Sequence, residues 1–160
     1  MSLDTPSPVK IDGSGLRVAI IAARYNEVLV DSLVRHASRH LEAAGAPKPV
    51  VERVPGSAEL PVAASVLIEY GTFDAIIVIG VVIAGDTSHH TIIGDSTAVA
   101  LQELSVRTGI PVLNGILVVE NLAQAEARAG EQINRGKEFA QAALEMALFT
   151  KKWKTKKKHP

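Results

Sequence analysis

The sequence predicts one doubly wound α/β domain, a four-stranded parallel sheet with helices on both faces. Three observations lead there. Segments with strand character alternate with segments of helical periodicity along the chain. The strand segments are apolar runs rather than alternating ones, as strands buried on both faces require. The unusual polar clusters follow the strands, at the carboxyl ends where open parallel sheets bind ligands.

Taken in order, residues 1–15 contain Pro6, Pro8, Gly13 and Gly15 and read as an extended arm. Leu16 to Ala23 is the first strand, ending at Arg24-Tyr25-Asn26. Val28, Leu29, Leu33, Val34, Ala37 and Leu41 recur at helical spacing until Gly45 and Pro47 close that helix. Val50 to Val54 is the second strand, broken at Pro55-Gly56-Ser57. A helix runs from Ala58 to Tyr70, with Pro61 in its first turn, where a missing N–H costs little. Ala75 to Val82 is a very apolar third strand. A long helix follows from about Ser88 to Thr108, ended by Gly109. Pro111 to Val118 is the fourth strand, and Gly115 inside it signals a close backbone approach. Leu122 to Ala129 forms a short helix, and Asn134 to about Phe149 the last one. The division expected is an arm (1–15), a domain (16–150) and a basic tail (151–160).

Composition excludes several classes. With 160 residues, 47% hydrophobic and 21% charged, the chain suits one globular domain with a real core. No apolar run approaches the ~20 residues of a membrane span. Residues 1–15 lack the basic and apolar regions of a secretory signal. The absence of cysteine removes disulfides, thiolate catalysis and cysteine-bound zinc, and fits the cytoplasm. Net charge is zero but uneven. Six lysines and no acid lie in the last ten residues, and the other 150 carry 11 basic against 17 acidic residues, about −6. Such a tail can touch a polyanion, although a frayed, solvated terminus is the plainer expectation.

The stretch Gly80 to Ile93 combines a strand end, a glycine turn and a helix start that carries His89 and His90. A helix N-terminus suits an anion, and imidazoles carry protons near neutral pH. No G-x-G-x-x-G, no Walker phosphate loop and no G-x-S-x-G elbow is present. Adjacent histidines do not form an i,i+4 zinc pair. What remains is acid/base and electrostatic chemistry. His89 can move protons, and Thr87 with the helix-start amides can hold a phosphate. Arg128 can clamp it, Glu59 can accept from hydroxyls, and Tyr25 can stack on a planar ring. Each has a plainer reading: a capping histidine, a surface arginine, a first-turn acid, a packing tyrosine. His36 and His40, on the polar side of the first helix, and His159 in the tail are expected to be bland. Read this way, the residues suggest a phosphate-linked ligand at a histidine-bearing site and name no substrate.

Four motifs, in order, resemble those of the lumazine synthase family. These are A-R-Y-N (Ala23 to Asn26), V-P-G-S-A-E-L-P (Val54 to Pro61), G-V-V-I-A-G-D-T-S-H (Gly80 to His89), and G-I-P-V-L-N-G-I-L with Q-A-x-x-R-A-G (Gly109 to Leu117, Gln124 to Gly130). Asn134 to Ala147 also resembles the family's last helix. The resemblance spans about Leu16 to Phe149. It implies a flavodoxin-like sheet. It also implies condensation of 5-amino-6-ribitylaminouracil with 3,4-dihydroxy-2-butanone 4-phosphate to 6,7-dimethyl-8-ribityllumazine, without cofactor or metal. Tyr25 would stack on the pyrimidine with Asn26 beside it. Ser57, Ala58 and Glu59 would hold the ribityl chain. The backbone of Val81, Val82 and Ile83 would meet the pyrimidine edge, and Asp86 and Thr87 would form the phosphate turn. His89 would carry protons. Asn114 and Arg128 would come from a neighbouring subunit, Arg128 on the phosphate. Arg135 keeps the charge of a lysine that is common at its position.

The implied assembly is a pentamer. The short Gly130 to Asn134 joint favours a 60-subunit shell, with the lysine tail lining its interior. Riboflavin synthase is an implied partner; no membrane or sequence-specific nucleic acid is. A shell that binds flavin or lumazine with weak or no catalysis is the alternative, and an unrelated flavin-binding module lacks the Ser/Thr-rich loop it would need after strand one. The family usually carries Arg or Lys where this chain has Ala84, and an aromatic and an acid where it has His90 and Thr91; Asp86 adds a negative charge. Fewer cations and one more anion at the phosphate turn predict weak binding of the butanone phosphate. Steady-state kinetics should give a Michaelis constant above that of an Arg-bearing homologue; an equal or lower one contradicts the prediction.

Overall fold

A computed structural model describes residue 7 and residues 9–156. The elements are β1 (Val18–Ala23), α1 (Glu27–Ala43), β2 (Val50–Val54), a single 3₁₀ turn (Ser57–Glu59), α2 (Leu60–Tyr70), β3 (Ala75–Ile83), α3 (His89–Thr108), β4 (Val112–Val119), α4 (Leu122–Ala129) and α5 (Arg135–Lys156). All strand pairs are parallel and the order is β2-β1-β3-β4. The chain leaves β1 toward one edge and β3 toward the other, so the order reverses between the two central strands. The sequence-predicted fold class is therefore the observed one.

The strand pleat explains why the central runs are apolar throughout. Alternate residues face opposite sides. Ile77, Ile79 and Val81 of β3, with Ile20 and Ala22 of β1, pack under Leu33, Ala37 and Leu41 of α1 and Ala140 and Leu144 of α5. Ile76 and Val78, with Ala19 and Ile21, pack under Leu60 and Ala64 of α2 and Leu101 and Leu104 of α3. Each face is covered, so neither can be polar.

Four expectations need correction. β2 is not buried: Val50 to Arg53 are exposed, because β2 is an outer strand beyond the reach of the helices over β1. Arg53 turns to α1 instead and pairs with Asp31 at 2.5 Å. The last helix does not stop near Phe149. It continues to Lys156, so residues 151–156 of the tail are helical rather than frayed. No Gly or Pro interrupts them, lysine is a good helix former, and cations suit a helix C-terminus. Residues 1–6, 8 and 157–160, with His159, lie outside the described residues. His36 is not on a solvated face. It is 7% exposed, with Nδ1 3.3 Å from Nδ2 of Asn134, because α5 packs along α1. Gly136 permits that approach: a Cβ there would collide with the Leu33 carbonyl. His40 bonds Gln141 of α5 at 2.8 Å. What is described of the arm (residues 7 and 9–15) has no strand or helix, and the Val9 carbonyl accepts from Gln141.

Gly115 marks a close approach, as its place in a strand suggests. A Cβ there would stand 2.6 Å from the Val78 carbonyl and 2.9 Å from the Phe139 ring. Overpacking of this kind costs roughly 1–3 kcal/mol. Gly115→Ala should lower the unfolding free energy by that amount, seen as a lower urea midpoint with an unchanged m-value; an unchanged midpoint would show that β3 and α5 both yield freely.

Candidate active site

The crevice lies where strand order reverses, beyond the ends of β1 and β3. β1 pairs with β3 from Val18↔Ala75 to Ala22↔Ile79 and ends at Ala23, while β3 runs on to Ile83. Val81, Val82 and Ile83 thus overhang β1 while staying paired to Leu117, Val118 and Val119 of β4. Backbone groups alternate in direction along a strand, so those of Val81 and Ile83 turn to the β1 side, past its last residue. Asn26 takes the first of them, donating Nδ2–H to the Val81 carbonyl at 2.8 Å. Asn26 is also the N-cap of α1, in the left-handed region at φ 56°, ψ 44°. Asn is among the few side-chain-bearing residues that adopt it readily. The ladder edge of Ile83 is left open to a ligand.

The β2 end forms the adjoining wall. The Arg24 N–H donates to the Val54 carbonyl at 3.0 Å and ties the two strand ends together. Tyr25 is 73% exposed, with one edge of its ring against Gly56, where a Cβ would lie 3.3 Å from ring carbon Cδ2. The Gly56 N–H donates to Glu59 Oε2 at 2.7 Å, so Glu59 braces the turn as a first-turn acid does. Ser57 is buried against Gly80, where any Cβ would collide with its hydroxyl. Its side chain is structural here, and Ala58 and Glu59 are the exposed members of this stretch.

The third wall separates the two histidines. The Ala84 N–H donates to the Val119 carbonyl at 2.8 Å and pins the turn to the end of β4. Gly85 to His89 are exposed, Asp86 among them. Thr87 organises the helix start: its Oγ1 accepts from the His89 N–H at 3.4 Å, and its carbonyl accepts from His90 Nδ1 at 3.1 Å. That bond assigns the Nδ1 proton to neutral His90 and holds its ring down. Among the described residues the His89 imidazole has no hydrogen-bond partner. One histidine is an anchor and the other is available for proton transfer.

Three predicted site residues stand elsewhere. Asn114 sits opposite Val78, three residues before the pair Val81↔Leu117, about 10 Å down the sheet at ~3.3 Å per residue. Its Oδ1 accepts from the Ile116 N–H. Arg128 is half-buried on α4 and donates to the Gln124 carbonyl at 3.0 Å; the adjacent Ala129 carbonyl accepts from Ser32 of α1. Arg135 is ion-paired with Glu138, and its Nε is buried without a partner. None of these contacts reaches the β1–β3 crevice. Two supports went unassigned in the sequence. The tight fit at Gly80 was signalled by a glycine inside an apolar strand; the anchoring role of His90 had no signal.

The chain is similar to known proteins over most of its length. The family model described as 6,7-dimethyl-8-ribityllumazine synthase matches residues 15–151. A protein of that name from Kineococcus radiotolerans is 44% identical over 151 residues, covering 92% of this chain and 93% of its own length. Another from Thermococcus onnurineus is 41% identical over 140 residues, 88% and 92% of the two chains. One from Xanthomonas oryzae is 45% identical over 133 residues, 81% and 86%.

The bond from Asn26 to Val81 can be removed without disturbing the backbone. Asn26→Gly keeps the left-handed conformation and loses only the side-chain donor. A single hydrogen bond contributes about 0.5–1.5 kcal/mol. Denaturant unfolding should show a loss of that size; no loss would mean that water replaces the amide at no cost.

Proposed function

The chain belongs to the 6,7-dimethyl-8-ribityllumazine synthase family, and on that premise we propose that it condenses 5-amino-6-ribitylaminouracil with 3,4-dihydroxy-2-butanone 4-phosphate. The products are 6,7-dimethyl-8-ribityllumazine, phosphate and water. The observation that carries this reading is the β3 overhang, with Tyr25 on one side and His89 on the other. A pyrimidine stacked on Tyr25 presents its polar edge to the backbone of Val81 to Ile83, with Asn26 fixing the overhang. Ala58 and Glu59 line the way for the ribityl hydroxyls. The amides at the start of α3 and Thr87 receive the phosphate.

The ring amine attacks the ketone, and loss of water gives an imine. Proton removal then expels phosphate. The ribityl-bearing nitrogen closes the second ring with loss of another water. Each step moves a proton at nearly the same place. His89 is suited to shuttle it, since Thr87 orients its backbone and nothing in the described chain holds its ring. Much of the rate comes from holding two reactants in register. We assign no cofactor or metal to the reaction.

The same proposal includes assembly. Ile92, Val99 and Val106 are exposed at seven-residue spacing along α3, and Val62, Val66 and Tyr70 are exposed at four-residue spacing on α2. Such faces mark contacts between chains, and β2 offers an open sheet edge. A pentamer covers them and lets Asn114 and Arg128 of one subunit complete the crevice of the next, with Arg128 on the phosphate and Arg135 adding positive charge nearby. The short joint at residues 130–134 favours a 60-subunit shell with the lysine-bearing end of α5 turned inward. The cytoplasm is the proposed compartment, and riboflavin synthase the consumer of the product. No helix among the described residues is long and apolar enough to cross a membrane.

Product fluorescence against the uncatalysed background tests the chemistry. His89→Ala should lower the rate by roughly 10²-fold or more, and His90→Ala by clearly less. Arg128→Ala should act mainly on the Michaelis constant of the phosphate substrate. Equal losses at both histidines would remove the assigned roles. No acceleration by the wild type, with product still bound, would leave a binding shell. Light scattering should show a shell-sized particle, and a pentamer-sized particle alone would refute the shell.

A further inference from the structure

The pole opposite the crevice has a surface that the condensation does not use. The last turns of α5 expose Phe149 (57%) and Trp153 (55%), with ring centroids 6.4 Å apart and planes inclined at 54°. Lys152 and Lys156 lie on the same side of the helix, Lys151 and Lys154 border the cavity beside it, and all four are exposed. Lys156 Nζ lies 4.8 Å from the Trp153 ring centroid. Next to these turns a cavity of about 190 Å³ opens at the foot of β3, bordered by Phe73, Asp74, Thr150, Lys151, Lys154 and Thr155. Among the described residues Asp74 is the one carboxylate bordering the cavity, and it accepts the Arg17 N–H at 2.7 Å. The Arg17 guanidinium itself stacks 5.5 Å from the Phe73 centroid and bonds Thr72. Positive charge therefore outweighs negative at this pole, while residues 1–150 carry about −6.

We propose that this pole binds single-stranded nucleic acid without reading its sequence. The juxtaposition of exposed aromatic faces with closely spaced lysines carries the proposal. Lysines track phosphates by charge, and aromatic rings stack on bases of any identity. A purely electrostatic surface has no use for two solvent-exposed rings. A membrane surface would need a longer apolar stripe than Met146, Phe149 and Trp153 provide. Helical order matters as well. The turns from Lys151 to Lys156 fix the spacing between rings and cations, which a frayed tail would not. Lys151 helps by donating Nζ–H to the Gly15 carbonyl at 3.1 Å, tying this end of α5 to the body of the domain.

Trp153 is the sole tryptophan of the chain, so it reports on its own site. A short fluorescein-labelled oligothymidylate, present while the full-length subunits assemble so that it reaches the end of α5 even inside a shell, should quench Trp153 and raise the anisotropy of the label. Four phosphate contacts predict a log–log salt slope of about −3. Trp153→Leu, read by anisotropy, should weaken binding about tenfold. A Lys152→Glu/Lys156→Glu double variant should abolish binding at moderate salt. Both variants should form lumazine at the wild-type rate, since neither position touches the crevice, and circular dichroism will verify their folding. The proposal is overturned if the oligonucleotide leaves Trp153 unquenched at low salt. It is also overturned if phosphatidylserine vesicles quench and the oligonucleotide does not, or if polyphosphate competes equally and Trp153→Leu changes nothing.

Discussion

One hydrogen bond spans the point where this fold divides. Asn26 donates across the gap between β1 and β3 to the Val81 carbonyl. The strand order 2-1-3-4 makes that gap unavoidable, because the connections leaving β1 and β3 diverge to opposite edges and faces. A parallel sheet leaves unpaired backbone groups wherever one central strand outruns its neighbour. Left to water they would be free to shift. Held at Val81, the overhang becomes a fixed edge with the right polarity for a heterocycle. The left-handed cap at Asn26 starts α1 and braces β3 with the same residue. Tyr25, one position earlier, is thereby set against Gly56, and the Arg24 N–H locks that wall to β2.

Two adjacent histidines come to differ by the same logic of local tethering. The Thr87 carbonyl holds one ring and the Thr87 hydroxyl holds only the backbone of the other. In the family pattern the position after the proposed proton carrier is usually aromatic. His90 keeps a flat ring there and adds a donor, so the substitution preserves the turn by other means.

The layers and the position of the crevice were legible because burial on both faces leaves an unmistakable apolar pattern in β1 and β3. The placement of Tyr25, Asn26, Thr87 and His89 at the crevice was legible because they follow those strands directly. The rest depended on what packs on what. Nothing in V-V-E-R-V says that the strand is outermost, and edge strands tolerate polar residues on both faces. His36 reads as polar-faced until Gly136 lets α5 lie close enough to cover it. The reach of α5 to Lys156 was obscured by charge, which disorder and a helix C-terminus both favour. Ser57 carries a family motif, yet its side chain points inward, because Gly80 vacates the space it fills. Asn114, Arg128 and Arg135 belong to the motifs but not to this chain's own crevice, which no reading of one chain's periodicity would separate.

That last separation bears on how charge at the phosphate position is balanced. Within one chain the turn offers backbone amides, Thr87 and the carboxylate of Asp86, with Ala84 where the family usually has a cation. Amides and a helix dipole stabilise an anion by only ~0.3–1 kcal/mol at an exposed terminus. In the proposed assembly the one remaining cation is Arg128 of the next subunit, whose guanidinium bonds its own helix in the single chain. Phosphate then binds an interface rather than a subunit. By linkage, whatever phosphate gains from the neighbour's arginine it returns as stability of the contact. A chain with arginine at position 84 would divide that coupling between its own turn and its neighbour. With alanine there, the proposed assembly would pass nearly all of it through the interface, linking chemistry and assembly more tightly than the motifs alone require.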